Sequence, residues 1–157
     1  MSEYKLTEEI IKRSQAQTWD AARLEWSLED VYFADEAETC LCGHTPIKEI
    51  CTLRNGANQK TADVGNCCVK KFLNLPSDKI FQAVKRVKVD GDKALNAEAI
   101  QHAHQKGWMN DWERDFSLNT MRKRQLTGKQ LQKRREINAR VLERMSGRKK
   151  AFGMVFT

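Results

Sequence analysis

The sequence predicts an α+β protein: a small metal-binding module of knuckle, β-hairpin and helix, embedded in a mostly helical chain. Three observations predict it. All five cysteines of the 157-residue chain fall between Cys40 and Cys68. Between Cys42 and Cys67 the residues alternate like a strand and are interrupted by Asn55-Gly56, a turn signal. Both prolines, Pro46 and Pro76, lie near this region, which leaves the flanks free to be helical.

In chain order, Thr7 is placed to N-cap a first helix, with Glu8 and Glu9 in its first turn and Ile10 and Ile11 on its apolar side. Trp19, Ala22 and Trp26 follow at the i, i+3, i+7 spacing of one helix face, and Val31-Tyr32-Phe33 is a short β-prone run. Ile47 to Leu53 reads as a strand with Ile47, Glu49, Cys51 and Leu53 on one face, and Thr61 to Val64 as its return. Gly65-Asn66 turns the chain into a helix over about 67–73. Ser77 caps a further helix carrying Ile80, Phe81, Val84 and Val87. Asn96 caps the next, which Gly107 ends. A helical stretch from Trp108 to about Arg124 has Trp108, Met109, Trp112 and Phe116 on its apolar side. The last helix starts at Thr127 and runs to about Met145, with Leu131, Ile137, Val141, Leu142 and Met145 in its apolar stripe. The four tryptophans are expected to anchor the core. The organisation expected is an acidic helical segment over 1–38, the metal-binding module over 39–75, and a helical region with basic C-terminal helices over 76–157.

Clustered cysteines in a chain with no visible secretory leader point to metal more than to disulfides. Zinc wants four ligands in a tetrahedron. Cys40 and Cys42 on a tight turn supply half the shell, and Gly43 lets that turn close. Cys68 sits at a helix start, and Cys51, one strand away, can complete four. Six candidates, Cys40, Cys42, His44, Cys51, Cys67 and Cys68, compete for these places, and adjacent Cys67 and Cys68 do not chelate together easily. Knuckle, hairpin and helix start follow one another in the element order of a treble clef.

The run Cys40-x-Cys42-Gly43, Pro46-Ile47, Cys51, Asn55, Val64-Gly65-x-x-Cys68-Val69-Lys70-Lys71-Phe72 resembles a treble-clef-type module of small uncharacterised phage- and bacteria-borne proteins. The resemblance covers about a quarter of the chain, and extends to Leu126-Thr127-Gly128-Lys129-Gln130, similar to a helix start downstream in such proteins. It implies a treble-clef-like fold and a structural Zn²⁺ held by Cys40, Cys42, Cys51 and Cys68, with His44 and Cys67 in reserve. It implies no established activity. The expected location is the cytoplasm, of a bacterial host cell if the chain is phage-borne.

Charge is distributed unevenly. Residues 1–39 carry four Lys/Arg against ten Asp/Glu; residues 120–157 carry twelve against two. A basic block of this kind suits an anionic partner, usually nucleic acid. The candidate phosphate contacts are Arg122, Lys123, Arg124, Lys129, Lys133, Arg134, Arg135, Arg140, Arg144, Arg148, Lys149 and Lys150, with Lys70 and Lys71 behind the metal helix. Pairing of these charges within the fold is the plain alternative.

Signals for catalysis are weak. Phosphate-cradling glycine loops and a nucleophile elbow are absent from the sequence. His102 and His104, at i and i+2 on a helix, point apart. Asp90/Asp92 and Asp111/Glu113 read as solvated surface. No apolar run approaches the ~20 residues that span a bilayer. The expectation is therefore a non-enzymatic, zinc-stabilised nucleic-acid-binding protein. The alternatives are a protein-interaction adaptor or inhibitor of phage origin, acting on a host or replication protein through the acidic segment and its aromatics, and a metal-dependent nuclease.

Overall fold

A computed structural model describes residues 3–146; Arg148, Lys149 and Lys150 lie outside the described residues. The chain is α+β and divides into two compact units, one running to Ser77 and one over Asp78–Met145.

The first unit is built on a three-stranded antiparallel sheet of order β1-β2-β3, with β1 at Trp26–Glu38, β2 at Ile47–Asn55 and β3 at Thr61–Gly65. The central strand is the one whose alternation was plainest. In it Cys51 pairs with Val31 on one side and Val64 on the other. The β2–β3 turn is organised by Asn55, whose side-chain oxygen accepts from the amides of Ala57 (2.7 Å) and Asn58 (3.1 Å). Its amide donates to Glu25 Oε1 at 2.8 Å, tying the turn to the residues just before β1.

Strand β1 departs from expectation. The helical spacing of Trp19, Ala22 and Trp26 predicts a helix into the high twenties. The helix, α2, covers only Trp19–Ala22, a 3-10 turn covers Arg23–Glu25, and Trp26 opens a 13-residue strand. Helix α1, Glu3–Lys12, also starts earlier than Thr7, which lies inside it. The acidic segment is thus only partly helical, and shares one sheet with the cysteine-bearing strands.

After β3 a short helix α3, Asn66–Cys68, runs into a single π-helical stretch, Val69–Leu73, ended by Asn74 at φ 54°. Buried Asn66 donates to Glu49 Oε1 (3.0 Å) and accepts from the Ser77 hydroxyl (2.7 Å), so this bend is pinned to β2 by side chains.

The second unit is helical: α4 Ser77–Val89, α5 Ala97–Gln105, α6 Asp111–Thr120 and α7 Gly128–Met145. Asn96 caps α5 as expected, accepting from the Ala99 amide at 2.9 Å. Gly107, at φ 78°, takes the left-handed conformation that follows a helix end. Helix α6 is shorter than expected because Asn110 and Glu113 form a capping box that starts it at Asp111, after buried Trp108 and Met109. Trp112 therefore falls on the outer side and is 60% exposed, where the sequence pattern predicts it to be buried. Thr127 and Gln130 make a reciprocal cap for α7. Ile137, Asn138, Val141 and Met145 are its buried residues.

Candidate metal centre and basic surface

The loop between β1 and β2 forms the knuckle. The Cys40 amide donates to the His44 carbonyl at 2.9 Å and the Gly43 amide to the Cys40 carbonyl at 2.8 Å. Gly43 has φ 91°, which an L side chain rarely adopts, and a Cβ there would come 2.9 Å from Lys5 Nζ. The left-handed backbone of the turn therefore calls for glycine, whereas the lysine end could swing aside from a Cβ.

This closure presents Cys40 and Cys42 towards Cys68 at the end of α3. The three sulfurs lie within 4.8 Å of one another and could hold a metal ion, and all three residues are buried. The Cys40 and Cys68 sulfurs are 3.7 Å apart. Two amides point at Cys40 Sγ, from Gly65 at 3.2 Å and Cys42 at 3.5 Å. Contact with the Cys68 sulfur, helped by these amides and opposed by burial, holds the Cys40 thiol down to about 5. The same contact, with burial, pushes Cys68 up. Three thiols this close resist simultaneous ionisation unless a cation sits among them.

Cys51, expected as the fourth ligand, is not brought into this group. It sits in the middle of the central strand, fully buried between Val31 and Val64, with its thiol pushed up to about 12 chiefly by burial. The two reserves share a cavity with the cluster. A cavity of about 260 Å³ is lined by Cys40, Cys42 and Cys68 together with His44, Ile47, Gly65 and Cys67. His44 and Cys67 are exposed.

The other histidines have local roles. His102 meets Trp108 edge-to-face, with ring centroids 5.6 Å apart, and His104 Nε2 lies 2.8 Å from Asp111 Oδ1.

Four residues of the predicted basic stripe are engaged within the fold. Arg140 Nη1 donates to both oxygens of Glu113, at 2.9 and 3.0 Å, and to the Trp108 carbonyl. Lys133 Nζ is 3.0 Å from Glu113 Oε2. Arg135 forks onto Asp92, and Arg134 donates to the carbonyls of Asp92 and Thr120. Glu113, read from sequence as solvated, is buried. Burial alone would raise its pKa, but Arg140, the Asn110 amide and Lys133 overcome this and hold it at about 2. These acidic partners lie 20 to 43 residues from the bases they meet, beyond the reach of any local pattern.

Arg122, Lys123, Arg124 and Lys129 differ. They are exposed, between α6 and the first turn of α7, and make no ion pair among the described residues. Lys70, Lys71 and Arg144 are also exposed.

Fold and site together define an α+β protein with a buried three-cysteine cluster on a knuckle and helix start, and a separate helical unit with an exposed basic connection. No protein-family model, curated protein or solved structure matches the chain. Among the described residues no helix is long and apolar enough to cross a membrane.

Proposed function

We propose that this is a non-enzymatic, zinc-stabilised nucleic-acid-binding protein with a treble-clef-like metal module. The metal is structural, and the connection between α6 and α7 contacts phosphates. The observation that carries the reading is the contrast on the basic surface. Lys133, Arg134, Arg135 and Arg140 are engaged by acids and carbonyls of their own unit, whereas Arg122, Lys123, Arg124 and Lys129 are exposed and have no carboxylate partner among the described residues. Exposed cations gain from phosphate contact by releasing its condensed counterions, with little dependence on base sequence. The treble-clef-like reading is supported by the succession of knuckle, β2–β3 hairpin and α3, with cysteines at the first and last.

The test is binding of labelled single- and double-stranded oligonucleotides across a salt series. Four phosphate contacts give a slope of log affinity on log salt of about −3 to −4. Replacing Arg122, Lys123, Arg124 and Lys129 together by Ala abolishes binding, while Arg135→Gln leaves it unchanged. Binding insensitive to salt, or undetectable at low salt, refutes the reading.

A second reading, an adaptor or inhibitor docking on a protein, is favoured by exposed apolar groups in the acidic segment. Tyr4 is 79% and Leu24 73% exposed. A partner retained on the immobilised chain after nuclease treatment, and lost with Tyr4→Ala and Leu24→Ala, favours it over the first.

A further inference from the structure

We propose that His44 is the fourth ligand of the metal site, so that the shell is Cys40, Cys42, Cys68 and one imidazole, with Lys5 opposing its residual negative charge. This rests on the metal-binding part of the preceding reading.

One sulfur pair already has the spacing of a zinc shell, and all three sulfurs lie within 4.8 Å of one another. Zinc–sulfur bonds of ~2.3 Å in a tetrahedron place two sulfurs ~3.8 Å apart, and Cys40 and Cys68 stand at 3.7 Å. Three candidates compete for the fourth position. Cys51 is enclosed by the strand pairs on either side and does not line the cavity that the three cysteines share. Cys67 lines it, but adjacent helical residues project about 100° apart, so with Cys68 committed Cys67 does not reach the same ion easily. His44 also lines the cavity, and the Cys40 amide bond to its carbonyl holds its backbone beside the first ligand. Its imidazole is exposed, so it can turn inward without unpacking the core.

Charge points the same way. Three thiolates around Zn²⁺ leave one net negative charge, and a fourth thiolate would leave two, beside a wall that includes Ile47. A neutral imidazole adds none. The Lys5 ammonium, against Gly43 in the knuckle, is placed to offset the single remaining charge.

The experiment is zinc competition on the full chain with single variants, paired with ¹⁵N spectra of the histidine side chains in the zinc-loaded wild type. His44→Ala should weaken zinc by more than the ~10–100-fold that loss of an outer-shell partner costs. Cys51→Val and Cys67→Ser should leave affinity unchanged. In His44→Cys, cobalt–thiolate charge-transfer intensity should rise in proportion to one added thiolate. The spectra, which need no variant, should show one His44 ring nitrogen bound to metal and not titrating between about pH 5.5 and 8. Wild-type affinity in His44→Ala, or a freely titrating His44 in the loaded chain, overturns the assignment while leaving the metal reading intact. No zinc bound at all overturns both, and nucleic-acid affinity is scored separately from either.

Discussion

The sulfurs of Cys40 and Cys68 approach to 3.7 Å across 28 residues of chain, with the whole β2–β3 hairpin between them. A metal held here would staple the knuckle to the helix start. Stripping the metal with a chelator is expected to lower the thermal midpoint of the chain, and readdition of zinc to restore it. Cys40→Ser, Cys42→Ser and Cys68→Ser each should lose the metal and the chelator response together. Because metal binding to such modules is largely folding free energy, of order 10 kcal/mol in small zinc peptides, the effect should appear as cooperative unfolding of the sheet-bearing unit. Circular dichroism melts with metal analysis on the same samples check this.

Cys51 should behave as a core residue. Cys51→Val keeps a similar volume and removes a thiol with the Ser77 hydroxyl as partner, so the expected cost is below ~1.5 kcal/mol. With its pKa pushed up to about 12, mainly by burial, the thiol stays protonated at neutral pH. Native-state alkylation followed by mass spectrometry should therefore label exposed Cys67 first and Cys51 last. Early labelling of Cys51 in folded protein contradicts this placement.

How much of this was legible in the sequence depends on distance along the chain. Cys40, Gly43 and the Asn55 turn are local features, and residue type and spacing alone locate them. Alternation in β2 correctly makes 47–53 a strand, but not what covers each face. That depends on β1, which helical spacing at Trp19, Ala22 and Trp26 conceals. β1 also carries Glu29, Asp30, Asp35 and Glu36, a composition poor for strands but tolerated at a sheet edge, where β1 lies. Without β1, Cys51 looks like a free neighbour of the knuckle, when in fact it is enclosed. The basic stripe is visible as a stripe, but the carboxylates that engage Lys133, Arg135 and Arg140 come from elsewhere in the chain, Asp92 from the turn after α4 and Glu113 from α6.

Asn138 illustrates the same point and carries its own prediction. It is a buried polar residue in the apolar stripe of α7, and its Nδ2 donates to the carbonyls of Gly91 (2.9 Å) and Lys93 (2.8 Å). Replacement by Ala leaves both carbonyls without this donor, and is expected to destabilise the helical unit by roughly 2 kcal/mol. Asp92→Asn, which disrupts only the exposed pair with Arg135, should cost clearly less, because solvent screens that pair. Urea denaturation of the two variants beside the parent measures the difference; equal effects would contradict the distinction drawn between them.

Glu113 gives the pH dependence. Its carboxylate joins the Asn110 cap of α6 to Lys133 and Arg140 of α7. Burial would raise its pKa, but these partners hold it at about 2, below the ~4.3 of an unfolded glutamate. A depressed folded-state value means the unfolded chain binds the proton more readily. The stabilisation is therefore complete above about pH 4.5 and is lost as pH falls towards 2. Glu113→Gln retains an oxygen for the Asn110 amide but loses both ion pairs, so it should cost about 2 kcal/mol near neutral pH. Its cost should shrink across that acid window, until parent and variant converge near pH 2. A gap that persists undiminished at pH 2, measured by denaturant titration at each pH, would remove Glu113 as the source of the acid sensitivity.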